Sequence, residues 1–140
     1  MPVQSRFTTF TLKATLWESD PVVWRRILIP AGFSCYQLHL ALQTAFGWEN
    51  SHLFQFGKNG LADENGIGIP NDDYPVKDAR KAAVKTMFKN PGDQFVYVYD
   101  FGDHWKHVLE LEAISNKEIY TAYCEDGQNE CPPEDVGGLN

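Results

Sequence analysis

The pattern of hydrophobic and polar residues begins with two segments that alternate with a period of two. Residues 10–16 place an apolar side chain at every even position, which predicts a half-buried strand. The sequence Ser-Asp-Pro at 19–21 is typical of a turn, and residues 22–30 alternate again. These segments predict a β-hairpin.

The spacing then becomes helical over residues 34–46. Ser34 is followed three residues later by Gln37, which is the arrangement of a capping box. The apolar stripe stops at Gly47, a residue type that commonly ends helices. The pattern therefore predicts a first helix with both ends marked.

The second half of the chain changes pattern several times. Residues 51–57 predict a short third strand, and residues 58–75, rich in glycine, proline and aspartate, predict a long surface loop. Residues 76–88 return to helical spacing after Pro75 and predict a second helix. Residues 94–100 and 104–113 predict a second hairpin.

These elements predict an α+β fold with an antiparallel or mixed sheet of about five strands and two helices. The expected order is β-β-α-β-α-β-β, with an additional edge strand expected over residues 119–123. At 140 residues the chain is expected to form a single domain, 1–140.

Composition and charge narrow the classes of partner. The chain is 43% hydrophobic, yet no apolar run reaches the roughly 20 residues of a membrane span, so no membrane is expected as a partner. A net charge of −7 argues against nucleic acid as a partner, because non-specific binding to phosphates depends on clustered lysine and arginine. The start of the chain lacks the pattern of a signal peptide, and the three cysteines are an odd number. A cytoplasmic protein is therefore expected.

The stretch YDFGDHWKH at residues 99–107 is the first candidate site. Asp100 and Asp103 flank a turn, and His107 shares a strand face with apolar residues. One interpretation is structural: the acids cap the turn, and the histidine lies in the core. The other is a divalent metal site formed by these three side chains, because oxygen and imidazole ligands suit Zn, Mn or Fe.

Other polar residues extend this candidate cluster. His39 lies on the first helix and His52 at the start of the third strand. One hypothesis is that they converge with the hairpin residues at one end of the sheet; the alternative is that the polar residues are dispersed and hydrogen-bonded and specify the fold. Glu134 and Asp135 follow two prolines, which hold the backbone extended and present the carboxylates on a rigid arm. One interpretation is that both carboxylates meet a cation or an arginine; the other is that Asp135 caps a turn and Glu134 pairs with Arg25 or Arg26.

Basic residues form two candidate anion-facing groups. Arg25 and Arg26 lie on the second strand. Four lysines spaced by four residues would form one stripe on the predicted second helix: Lys77, Lys81, Lys85 and Lys89. A solvated face and a surface for phosphates are both compatible with this spacing.

Three blocks, at residues 22–56, 97–112 and 131–138, resemble in the same order the plasmid pRiA4b ORF-3-like family. The resemblance implies an α+β fold and an association with plasmids or mobile elements, and some members are described as resolvase-like passenger proteins of insertion elements. It also implies a further helical segment beyond the double glycine, which the present 140 residues lack. The family's motif positions correspond here to Trp24, Arg25, Arg26, His39, Gly47, Trp48, His52, Tyr99, Asp100, Phe101, Gly102, Asp103, Trp105, His107, Cys131, Pro132, Pro133, Glu134, Asp135, Gly137 and Gly138.

Three functions are compatible with the sequence. The first is a non-enzymatic binding or interaction module with a protein partner, associated with plasmids or mobile elements. The second is a metal-dependent hydrolase or nuclease-like enzyme, in which a divalent metal would activate water. The third is a nucleic-acid accessory protein that uses the lysine stripe.

Overall fold

Eight strands form one sheet in the computed structural model, which describes residues 8–60, 65–73 and 75–134. In chain order the strands are β1 (Thr9–Leu16), β2 (Trp24–Pro30), β3 (Phe54–Gly57), β4 (Ile67–Gly68), β5 (Lys77–Asp78), β6 (Gln94–Tyr99), β7 (Trp105–Ser115) and β8 (Tyr123–Gln128). Their spatial order is β5-β4-β3-β6-β7-β1-β2-β8, and only the β4–β5 pair is parallel. A single α-helix occurs in the described residues, α1 (Cys35–Phe46).

The predicted fold class is therefore wrong. The sequence predicts roughly five strands and two helices, whereas the described residues form an eight-stranded sheet with one α-helix. Two of the additional strands, β4 and β5, contain two residues each. Strands this short carry no periodicity that a sequence pattern can reveal.

The predicted second helix, 76–88, is replaced by β5, a turn and a single 3-10 turn at Val84–Thr86. Its helical spacing reflects burial, since Ala79, Val84 and Phe88 are all in the core. The backbone of this segment bonds to the residues before α1 and to its first turn: the Tyr36 amide donates to Ala79 O, and the Val84 amide donates to Phe33 O. These pairings replace the internal bonds of a helix.

Both hairpins are confirmed. β1 pairs with β2 in a continuous antiparallel register from Thr9–Pro30 to Thr15–Trp24. β6 pairs with β7 from Gln94–Glu110 to Tyr99–Trp105. The edge strand expected over residues 119–123 is displaced, because β8 begins at Tyr123.

The core lies between α1 and the sheet. Leu38, Leu42 and Phe46 of the helix are buried in the same cluster as the alternating apolar residues of β1. Cys35, the first residue of the helix, is also fully buried, and burial raises the pKa of its thiol to about 12. No helix of the described residues is long and apolar enough to cross a membrane.

Both predicted ends of α1 are observed. The Ser34 hydroxyl accepts a hydrogen bond from the Gln37 amide at 3.1 Å, and the Gln37 side chain accepts one from the Ser34 amide at 2.8 Å. Gly47 ends the helix in the left-handed conformation, with φ of 78°. This conformation favours glycine and turns the chain sharply toward β3.

Replacing Ser34 by alanine is expected to lower the free energy of unfolding by about 1 kcal/mol, because the amide of Gln37 loses its acceptor. Urea unfolding at neutral pH measures the change. Thr44→Ala, at an exposed position of the same helix, is the control and is expected to leave stability unchanged or slightly raised. Equal stabilities of Ser34→Ala and the wild type would contradict the role of the capping box.

Candidate functional site

The three motif blocks meet at one end of the sheet. Beyond Gly47 the chain runs through Trp48 and enters β3, whose first residue pairs with the last residue of β6. Residues 129–134 cross this same end, where the Trp48 indole N–H donates to the Pro132 carbonyl at 3.1 Å. Segments far apart in sequence therefore share one small region.

His52 lies between two carboxylates in this region. Its Nε2 atom is 3.5 Å from Oδ2 of Asp100 and 3.8 Å from Oε2 of Glu134. The backbone amide of Glu49 also donates a hydrogen bond to Glu134. Both carboxylates are largely buried, whereas the imidazole is 32% exposed. The structure thus brings together three members of the predicted cluster at one end of the sheet.

Tyr99, the last residue of β6, holds the loop that carries His52. Its hydroxyl accepts a hydrogen bond from the Ser51 amide at 2.8 Å. Burial raises the pKa of Tyr99 to about 12, and the nearby Glu134 carboxylate contributes to the increase. The phenol therefore stays neutral at physiological pH and fixes the loop that carries His52.

Asp100 stabilises its own turn with one carboxylate oxygen and faces His52 with the other. Its Oδ1 atom accepts hydrogen bonds from the amides of Gly102 and Asp103, at 3.1 and 3.3 Å. The left-handed residues of the turn are Asp100 and His104, with φ of 61° and 56°, rather than the glycine. Because Oδ1 is occupied by the turn, Oδ2 is the atom directed at His52.

His107 lies in the aromatic core. Its ring is 4.6 Å from Phe46 and 5.2 Å from Trp48, measured between centroids. Nδ1 is 3.3 Å from the Tyr97 carbonyl, and Nε2 has no hydrogen-bond partner in the described part of the chain. Burial lowers the pKa of His107 to about 4, so the imidazole is neutral at physiological pH.

The hypothesis that Asp100, Asp103 and His107 bind a metal has no geometric support here. Across residues 8–60, 65–73 and 75–134, no group of three or more His, Cys, Asp and Glu side chains is arranged to hold a metal ion. Asp103 is half-buried in the turn. Asp135, the last member of the predicted cluster, lies outside the described residues.

His39 belongs to a buried network beneath α1. Its Nδ1 atom is 2.7 Å from the Tyr97 hydroxyl, and its Nε2 atom is 2.6 Å from Oδ1 of Asn50. Since Gln43 donates to the same hydroxyl at 3.0 Å, Tyr97 donates to Nδ1, and the histidine carries its proton on Nε2. The ring also stacks on Phe54 at 3.7 Å. Burial lowers the pKa of His39 to about 4.

Arg25 and Arg26 have partners within the chain. Arg25 donates to the carbonyls of Ala45, Gln128 and Asn129 at 2.9 to 3.0 Å, which joins the end of α1 to the end of β8. The partners of Arg26 are Glu112 at 2.7 Å and Asp126 at 3.5 Å.

The lysines do not form the predicted helical stripe. Lys77 lies in β5, Lys85 lies in the 3-10 turn, and Lys81 and Lys89 lie in the connecting segments. No α-helix in this part of the chain aligns them. The geometric basis of the proposed phosphate-facing stripe is therefore absent.

Sequence reasoning missed Gln43, Asn50 and Tyr97, and it named Tyr99 only as a motif position. The tyrosines carried a signal, because a tyrosine on the buried face of a strand needs a hydrogen-bond partner for its hydroxyl. Asn50 carried none, since its left-handed backbone, with φ of 56°, results from the path of the loop.

A groove between α1 and β8 was also missed. It encloses about 300 Å³ and is lined mainly by apolar atoms. α1 contains no Asp, Glu, Lys or Arg residue, and its exposed positions are Gln37, Leu40 and Thr44. The other wall is formed by residues 121–124.

A second cleft of about 370 Å³ lies beside His52, where Tyr36, Asn50 and Arg80 contribute to its lining. The Arg80 guanidinium is directed to Asp78, with two contacts of 2.9 Å.

The two buried histidines predict acid sensitivity. An unfolded imidazole binds a proton near its ordinary pKa of 6.5, whereas folded His39 and His107 do so only near 4. The stability that they contribute is complete above pH 6.5 and is lost as the pH falls toward 4, by about 2 kcal/mol per histidine at pH 5. Urea unfolding measures how far the free energy of unfolding decreases from pH 7.5 to pH 5.0. For His107→Phe this decrease is expected to be about 2 kcal/mol smaller than for the wild type.

His104→Asn is the control for this measurement, because His104 is exposed and asparagine tolerates its left-handed backbone. This variant is expected to lose as much stability as the wild type between the two pH values. Identical losses in His107→Phe and the wild type would contradict the assignment.

Two known proteins are similar to this chain over most of its length. The uncharacterised protein y4hQ of Sinorhizobium fredii is 36% identical over 135 residues, which cover 91% of this chain and 66% of the relative. The chain thus spans slightly less than two thirds of that relative's length. The crystal structure of MM3350, a protein of unknown function from Methanosarcina mazei Go1, matches with a TM-score of 0.80 and 31% identity, covering 94% of this chain and 75% of the other.

A family model matches residues 8–140, which include the hairpins, α1 and the segments that surround His52. The earlier resemblance is confirmed by this match and by the bacterial relative. The chain belongs to the plasmid pRiA4b ORF-3-like protein family.

Proposed function

We propose that this protein is a non-enzymatic binding module that holds a polypeptide segment of a partner protein in the groove between α1 and β8. The observation that carries the proposal is the uncharged outer face of α1 beside an apolar groove. Surface helices normally present charged residues to water, so an uncharged face beside a concave apolar surface favours contact with another molecule.

The bonding of the motif residues supports the same proposal. Arg25 binds backbone carbonyls, His39 binds Tyr97 and Asn50, and Asp100 caps its turn. Buried polar groups that are paired in this way stabilise one conformation. The motif residues would then maintain the scaffold, and the groove would bind the partner.

The cellular setting is part of this proposal. The family's description refers to a plasmid. We extend an association with plasmid or mobile-element genes to this chain and place its single domain in the cytoplasm. The partner protein would then be encoded or encountered in that setting.

Leu40→Glu is expected to weaken partner binding at least about tenfold, because a carboxylate would have to be desolvated in the groove. The measurement begins with selection from a random-peptide display library on the immobilised full chain. The enriched peptide is then synthesised with a fluorophore, and its dissociation constant is measured by anisotropy for the wild type and the variant.

Leu53→Glu is the matched control. Leu53 is 43% exposed and Leu40 is 40% exposed, but Leu53 lies outside the groove. This variant is expected to bind the peptide within about twofold of the wild type, since surface substitutions have small effects. No enriched peptide, or equal binding by Leu40→Glu and the wild type, would contradict the proposed function.

A metal-dependent hydrolase is the alternative that the sequence leaves open. His52 lies near Asp100 and Glu134, but within the described residues these three side chains are not arranged to hold a metal ion. Under the binding proposal, elemental analysis of the purified chain is expected to find no stoichiometric metal. Thermal melts with zinc, manganese or EDTA are expected to coincide. One metal ion per chain, lost in Asp100→Asn and retained in Asp103→Asn, would instead favour the hydrolase.

A further inference from the structure

β8 is an edge strand that adjoins the groove. In the described part of the chain it pairs with β2 only, so one row of its backbone N–H and C=O groups is directed away from the sheet. Five of its six residues are exposed, which leaves room for another strand alongside. An extended peptide can add to such an edge through main-chain hydrogen bonds.

The two faces of β8 differ in chemistry. Cys124 is paired with Ile27, a core residue, and Cys124 lines the groove. Asp126 is paired with Arg26 and forms an ion pair with it. The register shift between these two pairs leaves Glu125 as the additional residue of a bulge. A strand added to β8 would therefore have the apolar groove on one face and carboxylates on the other.

The negative charge around β8 indicates that a bound segment would carry positive charge. From residue 118 to residue 134 the sequence contains no lysine, arginine or histidine, and the acidic residues of β8 are Glu125 and Asp126, of which Asp126 is paired with Arg26. A segment with basic residues is complementary to this charge.

The same charge argues against a second copy of this chain. Two β8 strands that paired antiparallel about their centres would place Glu125 and Asp126 of one copy opposite the same residues of the other. Like charges directly opposite one another destabilise a strand pair. A basic segment of a different protein does not meet this repulsion.

We propose that the groove binds an extended, basic segment of a partner protein, which adds to β8 as a further strand. Its apolar side chains alternate with cationic ones: the apolar ones enter the groove beside Leu40, and the cationic ones lie near Glu125 and Asp126. This inference rests on the proposed function, and it specifies the conformation and charge of the partner.

The first test uses a fluorescent, end-blocked heptapeptide that alternates lysine and valine, mixed with the full chain. It is expected to bind the wild type, and Leu40→Glu is expected to weaken this binding at least about tenfold. An otherwise identical peptide with glutamate in place of lysine is expected not to bind. No binding of the lysine peptide, or equal binding of both peptides, would overturn the inference.

The second test examines strand addition directly. Amides of alternate residues in a strand point to the same edge. N-methylation of the valines in one peptide and of the lysines in another therefore blocks one edge each. One modified peptide is expected to lose binding, and the other to bind within about threefold of the parent. Equal binding by both modified peptides would overturn strand addition.

The third test reverses a charge. Glu125→Lys is expected to weaken binding of the lysine peptide about fivefold and to strengthen binding of the glutamate peptide. Glu18→Lys, an exposed acid of the β1–β2 turn, is the control and is expected to change neither. Equal effects of the two substitutions would indicate attraction to the net charge of the protein and would overturn the assignment to β8.

Failure of this inference is distinguishable from failure of the proposed function. A display-selected peptide that depends on Leu40 but is acidic, or tolerates N-methylation at both edges, would overturn the inference and leave the binding module intact. A concentration-dependent dimer of the free chain that Leu40→Glu dissociates would overturn the inference in favour of a second copy. If every selected peptide binds Leu40→Glu as tightly as the wild type, both the inference and the proposed function would be overturned.

Discussion

The hydrogen-bonded network beneath α1 is the interaction on which the rest of the structure depends. The Tyr97 hydroxyl is fully buried and has to bond with both His39 and Gln43, while Asn50 bonds with the same two side chains from the loop. A buried polar group left without a partner costs about 1–3 kcal/mol. The network therefore joins α1, β6 and the loop that follows Gly47, and this loop also carries His52.

Arg25 continues this constraint on the other side of the helix. Its guanidinium joins the last turn of α1, through Ala45, to the end of β8, through Gln128 and Asn129. The helix and the edge strand are the two walls of the groove, so the arginine fixes their separation near one end. A groove with fixed walls loses little conformational entropy when it binds a segment, which favours affinity.

The sequence predicts those parts of the fold that local interactions determine. The alternation in β1, the capping box at Ser34 and the β6–β7 hairpin can all be recognised from neighbouring residues. The segment 76–88 cannot, because its backbone pairs with residues 31–36, about 50 positions earlier. Helical spacing there reported which side chains are buried, and long-range pairing decided the backbone conformation.

The candidate site shows the same difference between features that local sequence determines and features that long-range contacts determine. His52, Asp100 and Glu134 could be named from the sequence because each is a polar residue beside a turn or a proline, and the structure brings the three together. His107 could be named but not placed, since a histidine on an apolar strand face can be a ligand or a core residue. The groove could not be named, because it depends on β8, which begins four residues later than the predicted edge strand.

Because Cys35 is buried beneath α1, the accessibility of its thiol depends on whether the helix is packed on the sheet. A thiol at the start of a helix is normally activated, because the helix dipole stabilises the thiolate. Here burial outweighs that effect and holds the pKa near 12, so the thiol is unreactive while the helix is seated. Its reaction with an alkylating reagent would then require α1 to lift from the sheet. Cys124 is exposed at the groove and Cys131 is half-buried, so labelling followed residue by residue separates opening of the scaffold from access to its surface.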